Sequence, residues 1–253
     1  MSIKVICDST SYIPQNFIEE YDIDIVSLSV ILENNSYRET DIHKEMFYDK
    51  LKQCKQLPTS SQPSVDEIFT CFLKYVEAGR QVVGIFMSSD MSGTVSAANL
   101  AKKMIIEKYP SAVIEIVDSR TNCMQLGYVA LAAAREAKKG SSMEQVLKAA
   151  DKVINSSRFL FVPDTLEYLK KGGRIGGAAA LFGAFLQIRP ILTVVDGKTS
   201  IFDKVRTKKK AVERMIEAFK KDIDEKGLGE VIVHHIYSEA EGIELAAKLE
   251  NML

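Results

Sequence analysis

Tryptophan is absent from the 253 residues, and histidine and cysteine are scarce, at three and four. The cysteines (Cys7, Cys54, Cys71 and Cys123) are scattered and form no C-x-x-C pair. A Cys/His zinc centre therefore has little to draw on. Isolated cysteines of this kind read as reduced, small apolar side chains, as expected of a cytoplasmic protein. No excess of either charge exists: the formal net charge is −1, so nothing in the overall balance points to nucleic acid or an anionic membrane. The lysine clusters 208–210 and 220–221 alternate with Glu213, Glu217 and Asp222, the pattern of a solvated helix face. The start MSIKVICDST runs straight into a short strand and a polar turn, unlike a signal peptide. The longest apolar run, Gly176 to Ile188, falls short of the ~20 residues that span a bilayer and reads as a buried helix.

What is present is a repeated grammar of β-rich run, polar turn and helical run. It occurs at Ile3–Cys7 followed by Asp8–Ser11, at Gln81–Met87 followed by Ser88–Gly93, and at Val113–Val117 followed by Asp118–Asn122. Pro14 opens the first helix, the second is expected from about Thr94 to Lys108, and the third ends at a glycine stop, Gly140. Ser64–Glu67 is a capping box ahead of apolar residues at helical spacing, and Ser141–Glu144 repeats the device. Ile23–Leu32, ending at Asn34–Asn35, suggests an added hairpin. Alternating strands and helices imply parallel strands with helices on both faces. The expected fold is α/β and two-domain: a parallel doubly wound sheet over residues 1–156, then a smaller mixed α/β domain over 157–253. In the second part, Pro190–Val195 and Thr199–Val205 flank Asp196–Gly197, a strong hairpin signal. A helix at Thr207–Glu225, a strand at Gly229–Ile236 and a helix at Ala240–Leu253 follow.

In a doubly wound sheet, ligands lie beyond the carboxyl ends of the strands, where the three polar turns converge. Each turn precedes a helix N-terminus, which offers free N–H groups and partial positive charge to an anion. Ser92–Gly93–Thr94 is the strongest candidate, because Gly93 lets the backbone approach a ligand closely. Pro58–Ser64 adds a second hydroxyl-rich loop. Helix capping alone accounts for any single one of these turns. Neither a Walker A loop nor a G-x-G-x-x-G is present, and no lysine lies in the turns to neutralise a transferring phosphoryl group. No general base can be assigned to Ser92. The Gly172–Gly183 stretch packs as core or walls a narrow apolar tunnel, while Arg174, a lone cation in a Gly–Gly turn, has no core role and is placed to face a partner.

In order and spacing, the segments VICDST, PTSSQPS, SSDMSGTVSAA, VDSRTNCMQLG, DTLEYLKKGGRIGG and the proline–hairpin–RTKKKA run resemble the DegV family, the bacterial fatty-acid-binding proteins that serve as the binding subunit of fatty acid kinase. The resemblance implies an acyl chain buried between two domains, with Ser60 and Ser92 hydrogen-bonding its carboxylate, and the whole turn Ser92–Gly93–Thr94 is expected to bind the ligand, Gly93 and Thr94 included. Ser60 stands where threonine is commoner in the family. Arg174 matches an arginine implicated in docking the kinase catalytic subunit. The implied protein is a carrier that presents its carboxylate for acyl-phosphate formation. It is not itself an enzyme, and it takes no cofactor or metal besides the long-chain fatty acid. Family members carry a further strand and an H-T-G-P-G loop past the position of Leu253. Truncation and natural absence both account for its not being in this sequence, and His234 and His235 do not match that motif. Two other readings remain: a stand-alone phosphoryl- or acyl-transferase using the Ser92 turn, and a degenerate homologue that binds no lipid.

Overall fold

The computed structural model describes residues 2–33, 35–54, 56–181 and 188–253. In chain order its elements are β1 (Ile3–Asp8), α1 (Gln15–Glu20), β2 (Ile23–Val26), β3 (Ser29–Leu32), β4 (Asn35–Arg38), α2 (Lys44–Gln53), β5 (Thr59–Ser61) and α3 (Val65–Glu77). There follow β6 (Gln81–Phe86), α4 (Thr94–Lys108), β7 (Ile114–Asp118), α5 (Cys123–Lys138), α6 (Met143–Ser156), β8 (Leu160–Phe161), α7 (Glu167–Lys171), β9 (Arg189–Val195), β10 (Lys198–Val205), α8 (Lys208–Lys226) and α9 (Glu239–Glu250).

β1, β6 and β7 are the three β-rich runs read from the sequence, and with β2 they form a parallel sheet in the order β2-β1-β6-β7. Side chains alternate across a strand, so successive residues serve opposite faces. Ile3, Val5, Cys7, Val83 and Ile85 pack with α5 and α6 on one side, whereas Ile6, Val82 and Phe86 pack with α3 and α4 on the other. Both faces are buried, which is why these strands read as continuous apolar runs. The chain leaves β1 toward β2 and later returns to β1's other side as β6. The switch point therefore lies between the carboxyl ends of β1 and β6, where Asp8 and Met87 meet.

Two antiparallel sheets complete the fold, β4-β3-β5 and β10-β9-β8. The Asp196–Gly197 hairpin forms as expected: Val195 pairs with Lys198, and both turn residues have positive φ, 49° and 79°. The α3 capping box forms on Ser64 and Glu67, and that of α6 uses Ser142 and Gln145, one residue later than expected.

Three expectations are corrected. Thr59–Ser61, read as part of a loop, is an edge strand paired to Ser29–Ile31, because the β3–β4 excursion supplies it with a ladder. The strand expected at Gly229–Ile236 is not formed, since nothing among the described strands pairs with it. Leu228, Val231, Ile232 and Ile236 are all exposed. Over its described part, Gly176–Leu181, the buried helix expected at Gly176–Ile188 is a 3-10 segment, where a Cβ on Gly176 would fall 2.3 Å from the Thr199 carbonyl oxygen. Phe182 and Phe185, in the same apolar run, lie outside the described residues. Among the described residues no helix is long and apolar enough to cross a membrane, and no group of His, Cys, Asp and Glu could hold a metal ion.

Candidate functional site

A cavity of about 390 Å³ opens at the switch point, within the size range of small-molecule pockets. Its wall brings together Ser60, Ser92, Gly93 and Arg174, four residues singled out from the sequence, with Thr10, Ser61, Gln62 and Glu39. Leu28, Val30, Met87 and Met91 supply its apolar side.

Each wall residue is placed by local structure. Ser60 and Val30 sit directly opposite in the β3–β5 ladder and so share a face. Ser92 and Gly93 close the turn between β6 and α4, held by hydrogen bonds from the Met91 and Ser92 N–H groups to the Ser88 carbonyl at 2.9 and 3.1 Å. Gly93 is the N-cap of α4, and the first turn of that helix carries no acidic side chain to occupy its positive end. Thr94 does not line the cavity. It is buried, and its Oγ1 lies 2.8 Å from the Ser92 Oγ, which also accepts from the Thr94 N–H at 3.3 Å. A Cβ on Gly93 would stand 2.1 Å from the Gln62 Oε1, so that exposed side chain would have to swing aside.

Two carboxylates adjoin the cavity. Glu39 accepts from the Ser9 Oγ at 2.5 Å and the Tyr12 hydroxyl at 2.7 Å. Asp8, one layer behind, accepts from the Thr10 N–H at 3.0 Å, the Thr10 Oγ1 at 2.5 Å and the Met87 N–H at 2.8 Å. It is thus a cap, as the simpler reading of such turns requires. Burial raises its pKa to about 6 despite those three donors. Burial likewise pushes the Cys7 thiol up to about 12, leaving no reactive thiolate there. Arg174 does not stand free in its turn. Its Nε donates to the Met91 carbonyl at 2.9 Å and its Nη1 to that of Gly172, which fixes the guanidinium at the cavity rim. Hydroxyls, an amide, a helix N-terminus and one cation on an apolar cleft can hold the head group of an amphipathic anion.

A family model described as "Uncharacterised protein, DegV family" matches residues 2–253. The chain belongs to the DegV family. A DegV domain-containing protein of Clostridium acetobutylicum is 51% identical over 251 residues, covering 99% of this chain and 88% of that protein. The crystal structure of DegV from Bacillus subtilis, a fatty acid binding protein, matches with a TM-score of 0.88 at 33% identity, covering 100% of this chain and 89% of that one. A stearic acid-binding protein from Eubacterium ventriosum matches with a TM-score of 0.87 at 29% identity over 98% and 87% of the two chains. Both solved structures share the α/β architecture described above.

Sequence reasoning missed Thr10, Gln62 and Glu39. Thr10 and Gln62 carried a signal, since they lie in the Asp8–Ser11 turn and the hydroxyl-rich Pro58–Ser64 segment. Glu39 carried none, because only the β3–β4 excursion folds it back onto Ser9 and Tyr12.

Proposed function

We propose that this DegV protein binds one long-chain fatty acid at the switch-point cavity and presents its carboxylate to a separate fatty acid kinase subunit. The observation that carries this reading is the convergence of Ser60, Ser92, Gly93 and Arg174 on one cavity that also has an apolar side. The fatty-acid-binding and stearic acid-binding neighbours supply the ligand class. Ser60 and Ser92 donate to the carboxylate, the α4 N-terminus adds favourable potential, and Arg174 at the rim meets the kinase. Thr94 acts through Ser92, orienting its hydroxyl.

The magnitudes divide the labour. Burying roughly 14 methylenes is worth about 11 kcal/mol gross at ~0.8 kcal/mol each, before the cost of association. A hydrogen bond to a charged group adds only ~1.5–3 kcal/mol. Apolar walls therefore supply most of the affinity, and the polar wall fixes which end of the ligand faces outward.

Organic extraction of the purified protein followed by mass spectrometry tests the reading. About one fatty acid per chain is expected, and a clean extract from a well-folded sample would overturn it. Acyl phosphate should then form from loaded protein and ATP once a fatty acid kinase subunit is added. Its formation by the protein alone would favour the transferase reading instead.

A further inference from the structure

The Ser88–Gly93 turn is gripped on two sides. Its inner half, Met91, Ser92 and Gly93, forms cavity wall, and Arg174 bonds the Met91 carbonyl. Its outer half is held by the tip of the β9–β10 hairpin. There the buried Ser88 Oγ donates to the Gly197 carbonyl at 2.8 Å, and Lys198 Nζ lies 3.2 Å from Asp90 Oδ1. Arg120 sits at the centre of this contact. Its Nη2 lies 2.6 Å from Asp90 Oδ2 and also donates to the Asp196 carbonyl, while Nη1 reaches Ser89 Oγ at 3.1 Å and Asp118 Oδ2 at 3.3 Å.

The local backbone is shaped for this contact. Arg120 holds φ at 56°, a left-handed conformation uncommon for arginine, pinned by its N–H on Asp118 Oδ1 at 2.9 Å. At the hairpin tip, φ is 79° at Gly197, and a Cβ there would stand 2.4 Å from Ser88 Oγ and 2.7 Å from Arg120 Cζ. Only glycine lets the hairpin close this tightly on the turn.

We propose that Arg120 is a positioning residue for the ligand site: with Asp90 and Lys198 it clamps the β9–β10 hairpin onto the Ser88–Gly93 turn, and the opening of this clamp sets the rate at which ligand leaves. The inference rests on the fatty-acid reading. Arg120 does not line the cavity, so it acts through the turn that carries Ser92. Ion pairs this exposed are individually weak and screened by salt. Together with the Ser88–Gly197 hydrogen bond they form a closure that can open without unfolding the sheet beneath.

The test uses the full chain, delipidated and loaded with cis-parinaric acid, a fluorescent long-chain fatty acid, with release followed by stopped flow. Arg120→Ala should speed release by ~10-fold, equivalent to about 1.4 kcal/mol. Lys198→Met, at an exposed position, should speed it by a smaller factor. Wild-type release should accelerate with added NaCl, and Arg120→Ala should lose most of that dependence. The effects of Arg120→Ala and Ser92→Ala on affinity should be non-additive. Hydrogen exchange at residues 88–93 should rise in Lys198→Met, which carries the test if Arg120→Ala does not fold. Wild-type binding with unchanged release rates in the folded variants would overturn the clamp alone. Failure of the wild type to bind the probe would overturn the fatty-acid reading and the clamp with it.

Discussion

Ser92 and Thr94 share a hydroxyl–hydroxyl contact, so the Ser92 Oγ has a partner before any ligand arrives. Ser92→Ala should weaken fatty-acid affinity by ~1.5–3 kcal/mol, on the order of ten- to a hundredfold, without abolishing it; complete loss of lipid from a folded variant would refute this division of labour. Gly93→Ala should also weaken binding, because its Cβ would displace the exposed Gln62 side chain from the cavity wall. Gln62→Ala in the same chain should restore part of the affinity if that collision is the cause, and titration calorimetry separates the two outcomes. Asp8 is legible in unfolding data. Its folded pKa of about 6 lies above the ordinary carboxylate value, so the native state holds its proton where the unfolded chain has lost it. Its contribution to stability is therefore greatest below pH ~4 and is lost as pH rises toward 6, by up to about 3 kcal/mol. Urea unfolding of wild type and Asp8→Asn across this range should show the difference narrowing with pH; a parallel pair of profiles would contradict it.

Among the elements, α3 begins directly after the strand that carries Ser60, and its start depends on a two-way capping box. Ser64 Oγ accepts from the Glu67 N–H at 3.1 Å, and Glu67 Oε2 accepts from the Ser64 N–H at 2.9 Å. Ser64→Ala should cost about 1 kcal/mol of stability, read from the denaturation midpoint at unchanged m-value. Such local devices were legible in the sequence because cap, turn and period are short-range. So were the Asp196–Gly197 hairpin and the three strand–turn–helix units. Thr59–Ser61 was not, because a three-residue strand exists only by virtue of its partner, Ser29–Ile31. Residues 229–236 failed in the opposite sense: β-rich composition with no partner among the described strands yields no strand.

At the scale of the molecule, the site is assembled from segments far apart in the chain, so its occupant should be coupled to global stability. A ligand at 100 times its Kd stabilises the native state by ~2.7 kcal/mol. Delipidated protein should thus melt several degrees below loaded protein, and re-addition of fatty acid should restore the difference. Equal melting temperatures would show that the extracted lipid was not held in a specific site.

Short-range chemistry in the sequence determined the helices, the parallel strands, the caps and the polar turns, and the order of its motifs pointed to the DegV family. The tertiary structure decided which turns share a cavity. It placed Ser60, Ser92, Gly93 and Arg174 on one wall, moved Thr94 behind it, and brought in Thr10, Gln62 and Glu39. It also made Arg120, within the Asp118–Asn122 turn, the centre of a contact with a hairpin some 76 residues away. The physical reason is distance along the chain. Period, capping and turn preference act over a few residues, whereas a cavity is a property of segments that meet only when both faces of the sheet are buried.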